Sequence, residues 1–414
     1  MAEMNFISFS RPSIGEEEIA ETVDTLRSGW LTTGPKTGRF EADFGTYVRS
    51  PHALAVNSCT AALHLALAAL GIGRGDEVIT TPLTFCATVN TILHTGATPV
   101  LADIGPDGNI DPASIEARIT PRTKAIIPVH MGGLPCDMNR IWDIAARFGL
   151  RVIEDAAHAV GTIYDGNPIG MATAEPRRGS DAVAFSFYAT KNLTTAEGGM
   201  VTTPDAELFG RMKCLCLHGI SRDAWNRYTA KGNWYYEVNE NGFKYNLSDL
   251  QSSIGIHQLR KQEEFIETRR RYAEIYSSLL ANMDEVELPP TAPAGSRHAW
   301  HLYSLRLNLG HLKVDRAAFI ELLRERKIGA SVHFIPIPLH PFFRRFANLP
   351  QNHCPVALNV YPRLVSLPLY PAMSEDEVEY VGRSVRSLLE QYRLSRSSAP
   401  RATNGLYRVV SKAS

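Results

Sequence analysis

The sequence lacks an excess of charge of either sign, because 43 lysine and arginine residues balance 43 aspartate and glutamate residues. Proteins that coat nucleic acids need a basic surplus, so we expect no nucleic-acid partner. The sequence also lacks an apolar run near the roughly 18 residues that span a bilayer. Its start, MAEMNFISFSRPS, does not combine a basic region with a long apolar stretch, as a secretory signal does. We therefore expect no membrane insertion.

Recognisable cysteine pairs are missing as well. The six cysteines form neither a disulfide framework nor a zinc-binding CxxC pattern: Cys59, Cys86, Cys136, Cys214, Cys216 and Cys354. Cys214 and Cys216 are too close in sequence for an ordinary zinc pair. We expect reduced thiols, no metal site and a cytoplasmic protein.

The chain has enough residues for more than one domain. At about 150 residues per domain, 414 residues predict two or three. From Asn57 onward short apolar strands alternate with helices, which is typical of a parallel sheet covered on both faces. The pattern then changes to a long charged helix over 250–279 and a strand over 300–307. We predict an α/β fold with three parts: a large, mainly parallel sheet domain over 1–249, a smaller α+β domain over 250–393 and a flexible tail over 394–414.

Capping boxes mark the start of two helices. Ser13 with Glu16 predicts the start of the first helix, and Ser374 with Glu377 predicts the start of the last. The first helix carries apolar residues at helical spacing, which predicts an amphipathic helix: Ile19, Val23, Leu26 and Trp30.

The strongest local feature is Lys191, which follows a predicted buried strand in the run SFYATKN (186–192). Open α/β sheets bind ligands at the carboxyl ends of their strands. A partly desolvated lysine at that edge is neutral enough to attack a carbonyl and form a Schiff base. The alternative is an ordinary surface lysine after a strand.

A second feature is Asp155, which ends another apolar strand in the run VIEDAAH (152–158). A buried carboxylate needs a cation or hydrogen-bond donors. The protonated ring nitrogen of pyridoxal phosphate (PLP) is such a partner, and His158, one helical turn further, could reach the same ring. The alternative is a helix N-terminus with a structural histidine.

A phosphate site is suggested by Ser58, Cys59 and Thr60, which open a predicted helix. Free backbone N–H groups and hydroxyls at a helix N-terminus bind anions, and Ser186 could join them from the strand that precedes Lys191. Ordinary N-capping is the alternative. Phe85, after another strand, could stack on an aromatic ring or simply pack in the core.

Substrate contacts are harder to predict from the sequence. The candidates are Lys36 in a Gly-Pro-Lys turn, Tyr188, His333, and Arg222 in a basic and aromatic loop that could hold a nucleotide diphosphate. For Lys36 and the Arg222 loop, solvent-exposed residues are the alternative. For two of the three residues His298, His301 and His333 we expect buried structural roles.

The order of these motifs resembles the DegT/DnrJ/EryC1/StrS sugar aminotransferases, a family of fold-type I PLP enzymes. The resemblance covers nearly the whole chain except the tail. Its signatures are GWLTTGPK (29–36), EDAAH (154–158), SF with KN (186–192), EGG (197–199), YNLSD (245–249), HF (333–334) and LPLYP (367–371). The motifs are most similar to those of family members that form UDP-4-amino-4-deoxy-L-arabinose, although these have Trp in place of Phe85.

The resemblance implies a role for each candidate. Lys191 would be the Schiff-base lysine, Asp155 would hold the pyridinium, and Phe85 would lie on the ring face. His158 would contact the side of the ring that bears the hydroxyl. The phosphate would be bound by Thr60, Ser186 and, from the neighbouring subunit of a homodimer with shared active sites, Asn246. Ser58 and Cys59, from the same helix start as Thr60, stay candidates for cofactor binding.

The implied activity is transfer of the amino group of L-glutamate to a nucleotide-linked keto sugar. We expect the acceptor to be C4 of a UDP-4-keto pentose or 6-deoxyhexose, with ping-pong kinetics and a role in polysaccharide or lipopolysaccharide biosynthesis. The alternatives are a PLP-dependent deoxysugar dehydratase and a non-catalytic nucleotide-sugar-binding protein. Relatives that dehydrate commonly replace the lysine with His, and this chain retains Lys191. An NAD enzyme is disfavoured because GIGRG (71–75) follows a predicted helix and is not GxGxxG.

Overall fold

The computed structural model describes residues 5–171, 179–220, 235–346 and 349–394. The strands are β1 (His52–Val56), β2 (Glu77–Thr80), β3 (Thr98–Leu101), β4 (Thr123–Ile127), β5 (Arg151–Asp155), β6 (Ile163–Tyr164), β7 (Asn167–Pro168), β8 (Ala182–Ser186), β9 (Gly199–Thr203), β10 (Val286–Glu287), β11 (Tyr303–Leu307) and β12 (Leu364–Leu367). The helices are α1 (Glu16–Ser28), α2 (Pro35–Val48), α3 (Cys59–Ala69), α4 (Cys86–His94), α5 (Pro112–Glu116), α6 (Met138–Phe148), α7 (Ala206–Cys216), α8 (Asp249–Arg260), α9 (Gln262–Leu280), α10 (Arg316–Glu325), α11 (Pro355–Val360) and α12 (Glu375–Gln391).

The large sheet has seven strands in the order β1-β9-β8-β5-β4-β2-β3. From β8 to β3 every neighbouring pair is parallel, and β9 is antiparallel to both β8 and β1. The central strands β2 and β8 are buried along their whole length, because helices cover both faces of a parallel sheet. The predicted α/β architecture with a mainly parallel sheet is confirmed. The carboxyl ends of β5 and β8 meet at one edge, so Asp155 and Lys191 belong to the same region.

A smaller antiparallel sheet, β10-β11-β12, lies in the C-terminal part of the chain. It shares an apolar core with α9, α10 and α12, and Ile7 from the N-terminal segment is part of that core. Ile7 pairs with Ile328, so the start of the described chain is tied to the C-terminal part. The domain division at 249/250 stays a prediction. None of the helices in the described ranges has both the length and the apolarity needed to cross a membrane.

The first helix differs from the prediction. Its N-cap is Gly15, whose N–H donates to the Glu18 carboxylate at 2.8 Å, so the box predicted for Ser13 and Glu16 is wrong. The helix packs on α8 through polar contacts such as Lys261 Nζ to Glu18 Oε2, at 2.8 Å. The apolar stripe is therefore left 36% to 53% exposed: Ile19, Val23 and Leu26 in the helix, and Trp30 just beyond its end.

Three local predictions also need correction. The single helix expected over 250–279 is two helices, α8 and α9, which meet at Lys261. The strand expected from 300 begins at Tyr303, because Trp300 has a φ of 48° and cannot belong to a strand. The residues that follow Asp155 form turns rather than a helix, so His158 is not one helical turn beyond it. The box of Ser374 and Glu377 is confirmed.

Candidate active site

A cavity of about 360 Å³ opens where strands β5 and β8 end and α3 begins, a size typical of small-molecule sites. Most of the residues selected from the sequence line it: Ser58, Cys59, Thr60, Phe85, Asp155, His158, Ser186, Tyr188, Lys191 and His333. These residues come from five separate segments of the chain. The fold therefore brings the candidate motifs together.

Asp155 is the buried acid of the cavity, with 5% of its surface exposed. Its Oδ2 accepts a hydrogen bond from the Thr88 hydroxyl at 2.8 Å, and its Oδ1 accepts one from the Ala157 N–H at 3.2 Å. Burial raises the pKa of Asp155, and these two hydrogen bonds and the charge of Lys191 oppose the rise. No lysine, arginine or histidine of the described ranges forms an ion pair with it within 4 Å. The site is therefore built to receive a cation from a ligand.

Lys191 is half-buried and lies five residues beyond the end of β8. Its backbone N–H donates to the Tyr188 carbonyl at 2.9 Å, which closes a turn and directs the chain back to the cavity. Burial lowers the pKa of Lys191 to about 8, although Cys59 and Asp155 favour its charged form. The amine is consequently far more nucleophilic near neutral pH than that of an exposed lysine.

The start of α3 packs against the start of β9 and forms a polar wall of the cavity. Ser58 caps the helix by accepting from the Ala61 N–H at 3.1 Å, and Thr60 and Ser186 also line the cavity. Gly199 at the start of β9 makes this approach possible, because a Cβ there would meet the Ser58 carbonyl carbon at 2.6 Å. Hydroxyls and free N–H groups at a helix N-terminus suit a phosphate.

Two of the three candidate histidines, His301 and His333, line the cavity. The expectation that two of the three have buried structural roles stays a prediction. His301 stacks on His158 with the ring centroids 4.4 Å apart. Only His298 stays outside the main cavity, where it stacks on Trp300 at 4.0 Å. His301 lies in the run HAWHL (298–302), two residues before β11.

The mouth of the cavity is aromatic. Phe85 is 60% exposed and lies 6.0 Å from Phe334, ring centroid to ring centroid. His333 shares a hydrogen bond with Ser366 at 2.9 Å, and burial and Lys191 lower its pKa to about 4. Phe9, which sequence reasoning missed, stacks on His333 at 5.2 Å. Phe9 is far from the other motifs in the sequence, and no pattern of residues around it indicates a place at the cavity.

Two predicted residues do not line the cavity of their own chain. Lys36 Nζ instead pairs with Glu21 and Asp24, at 2.7 Å each. Asn246 Nδ2 donates to the Thr33 hydroxyl at 2.7 Å, and its predicted contact concerns a neighbouring subunit. Arg222 lies outside the described residues.

A model of the DegT/DnrJ/EryC1/StrS aminotransferase family matches residues 12–386. The chain belongs to this family. It is 50% identical over 388 residues to the spore coat polysaccharide biosynthesis protein SpsC of Bacillus subtilis, an alignment that covers 93% of this chain and 98% of SpsC.

Solved structures agree. Spr1654 from Streptococcus pneumoniae in its PMP form is 33% identical with a TM-score of 0.86, covering 93% of this chain and 99% of that one, and its PLP form gives 0.85. PseC of Helicobacter pylori, an aminotransferase involved in the biosynthesis of pseudoaminic acid, is 29% identical with a TM-score of 0.84, covering 94% of this chain and all of PseC, 100%.

The protein is thus a sugar aminotransferase of fold type I, and its cofactor is pyridoxal phosphate. The residues of the cavity fit this cofactor. A buried carboxylate without a cationic partner among the described residues, a lysine of lowered pKa and a helix N-terminus match its ring nitrogen, aldehyde and phosphate.

Proposed function

We propose that this enzyme transfers the amino group of L-glutamate to the C4 keto carbon of a nucleotide-linked sugar, a UDP-4-keto pentose or 6-deoxyhexose, for polysaccharide biosynthesis. The observation that carries the proposal is the meeting of Lys191 and Asp155 in one cavity. The reaction class comes from the family. The roles of SpsC in spore coat polysaccharide and of PseC in pseudoaminic acid biosynthesis support a sugar-derived substrate.

Asp155 and Lys191 perform the central steps of the proposed reaction. PLP, when bound, supplies an electron sink for the negative charge left on the Cα of the amino donor. Asp155 would pair with the ring nitrogen and keep its proton in place, because an adjacent positive charge stabilises a buried carboxylate. Lys191 anchors the cofactor covalently. Its Nζ, when free, would take the Cα proton of the amino donor as a general base and would deliver it as a general acid to the carbon on the cofactor side of the nitrogen.

The remaining polar residues hold the phosphate in this proposal. The hydroxyls of Ser58, Thr60 and Ser186 and the free N–H groups of the first turn of α3 bind it, with Cys59 beneath them. Asn246 of a neighbouring subunit completes the site. Because burial raises the pKa of the Cys59 thiol well above its usual range, no thiolate opposes the phosphate.

Two rings orient the cofactor ring in this proposal. Phe85 covers one of its faces from the mouth of the cavity. His158 donates a hydrogen bond to its hydroxyl oxygen from Nε2. The histidine is suited to this because its Nδ1 already accepts from the Gly132 N–H at 3.2 Å. Tyr188 and His333 then remain to contact the substrates.

We further propose a homodimer with shared active sites. The exposed apolar side chains of α1, Val23 and Leu26 among them, continue into Leu31. Apolar patches of this kind mark protein–protein contacts. A chain with no net charge also offers no overall repulsion to self-association.

The proposed reaction is tested by incubating the holoenzyme with [15N]glutamate and a panel of UDP-, dTDP- and GDP-linked 3-keto and 4-keto sugars. We expect NMR to show 15N on C4 of a UDP-4-amino sugar. The Lys191→Ala variant is the control for transfer by the enzyme itself. Amination of C3, or of a dTDP or GDP sugar alone, would refute the proposed substrate, and elimination of a hydroxyl without 15N transfer would support a dehydratase.

A further inference from the structure

His158 and His301 form a stacked pair on the wall of the cavity, with centroids 4.4 Å apart and an interplanar angle of 28°. Both side chains are buried, with 5% and 7% of their surfaces exposed. One residue clamps the pair, because the Gly132 N–H donates to His158 Nδ1 at 3.2 Å and the Gly132 carbonyl accepts from the His301 backbone N–H at 2.9 Å. Their relative position is therefore set by the backbone.

The hydrogen-bond partners fix the proton on each ring. A backbone N–H can only donate, so His158 Nδ1 accepts and the neutral ring carries its proton on Nε2. For His301 the partner is Asn192, whose Nδ2 donates to the Ala299 carbonyl at 2.9 Å. The Asn192 Oδ1 therefore faces His301 Nδ1 at 3.1 Å and accepts from it. The neutral His301 ring consequently has its proton on Nδ1 and a bare Nε2.

The surroundings keep both rings neutral. Burial lowers the pKa of His158 and of His301 well below the usual range. The other groups that face His301 add to this effect, because Lys191, Arg269 and His333 carry or can acquire positive charge. The cavity therefore has a nitrogen donor on one ring and a nitrogen acceptor on the ring stacked against it.

We infer that His301 is a specificity-determining residue, whose unprotonated Nε2 accepts a hydrogen bond from a hydroxyl group of the sugar substrate, and that Asn192 holds it in this tautomer. This rests on the proposed function. A bare nitrogen repels the lone pairs of a carboxylate, so the two carboxylates of glutamate do not suit it. A sugar offers hydroxyl donors, and a site built to pair with one rejects an analogue that lacks it.

The tautomers can be observed without any turnover. A joint neutron and X-ray structure of the perdeuterated holoenzyme should show deuterium on His301 Nδ1 and on His158 Nε2, with His301 Nε2 bare. Deuterium on His301 Nε2 would overturn the inference. The Asn192→Leu variant, which cannot accept from Nδ1, should lose the preference for that tautomer in the histidine 15N chemical shifts.

Substitutions then test recognition of the sugar. Asn at position 301 keeps a donor near the place of Nδ1 but has no atom at Nε2, whereas Gln reaches the place of Nε2. We expect kcat/KM for the keto sugar to fall about tenfold in His301→Asn and only about threefold in His301→Gln, the scale of one hydrogen bond. In His301→Asn, the fold-loss in kcat/KM for the glutamate half-reaction should be at least about threefold smaller than that for the sugar half-reaction.

The matched control is His298→Asn, three residues earlier on the same segment and outside the main cavity. It should change both half-reactions alike, and the same pattern in His301→Asn would refute the inference. Deoxy analogues of the sugar test the wild-type enzyme without any variant. One missing hydroxyl should cost the wild type about tenfold and His301→Asn almost nothing more, and additive losses would contradict the contact. If the wild type aminates no keto sugar, the proposed function fails and this inference with it, whatever the tautomers are.

Discussion

The two ends of the cavity are built in different ways. Its floor consists of Asp155 and Ser186 at the ends of β5 and β8, the first turn of α3, and Lys191 on the turn that follows β8. Its rim consists of Phe85, Tyr188, His333 and Phe334, which lie on loops, and two of them are about half exposed. The floor combines buried polar groups with fixed partners, whereas the rim presents aromatic surface to solvent. The residues proposed for the chemistry thus lie at or next to the ends of regular elements, and those proposed to contact the substrates lie on more exposed loop positions.

The largest expected effect is at the floor. Lys191→Ala removes both the covalent anchor and the proton-transferring amine, so we expect kcat to fall at least about 10³-fold. The measurement is transfer of 15N from glutamate to the keto sugar, and far-UV circular dichroism controls for folding. A variant that keeps more than a tenth of the activity would contradict the role of Lys191.

The pH dependence of Lys191 acetylation should also distinguish a lysine in the floor of the cavity from one on the protein surface. Because burial disfavours the charged amine, its pKa lies near 8, and the cofactor-free protein should lose this proton as the pH rises through 8. Pulse acetylation followed by mass spectrometry should give a midpoint near pH 8 for Lys191. At pH 7 the neutral fraction of the Lys191 amine is then on the order of 10² times that of an ordinary lysine.

Lys36 is the internal reference in that experiment. Its partial burial is outweighed by hydrogen bonds to Asp24 and Glu21, which raise its pKa. Its acetylation should therefore rise only at higher pH. Equal midpoints for the two lysines would show that the floor does not desolvate Lys191.

Asp155→Asn should come next in size. The amide cannot hold a positive charge on the ring nitrogen, so we expect kcat to fall about 10²-fold or more, the effect of removing one member of a buried charged pair. Thr88→Val removes the hydrogen bond to the carboxylate, and with it the contacts of the hydroxyl with Thr84 and the Phe85 carbonyl, but leaves the carboxylate itself in place. It should cost about tenfold or less. Steady-state kinetics at saturating cofactor check both values, and equal losses in the two variants would argue against a charge on Asp155.

The same contrast explains what the sequence could predict. Asp155 and Lys191 follow runs of buried apolar residues, and parallel strands place their carboxyl ends at one edge, so local patterns were sufficient for the floor. The rim requires contacts between segments far apart, such as Phe9 with His333. The periodicity of neighbouring residues does not predict such contacts. The family resemblance extended the prediction to the fold and the cofactor, but it could not replace these contacts.

The corrections follow the same reasoning. The apolar stripe of α1 was correctly predicted as helical, but hydrophobic spacing does not indicate which surface a helix packs on. Here ion pairs with Lys261 orient α1 on α8 and leave Val23 and Leu26 exposed. The surroundings of His301 could not be predicted either, because its hydrogen-bond partners Asn192 and Gly132 are remote in sequence.

Phe85 should give the smallest of these effects and tests the rim directly. Its ring can contribute only stacking, about 0.5–1.5 kcal/mol, so Phe85→Ala should weaken cofactor binding about threefold to tenfold and leave a working enzyme. Fluorescence titration of the cofactor-free protein with PLP measures the change. Phe85→Trp retains an aromatic face and should restore most of the affinity while shifting KM among keto sugars. A fall in kcat in Phe85→Ala as large as that in Asp155→Asn would contradict the separation of floor and rim. The aromatic rim would then contribute to the chemistry as much as the buried floor.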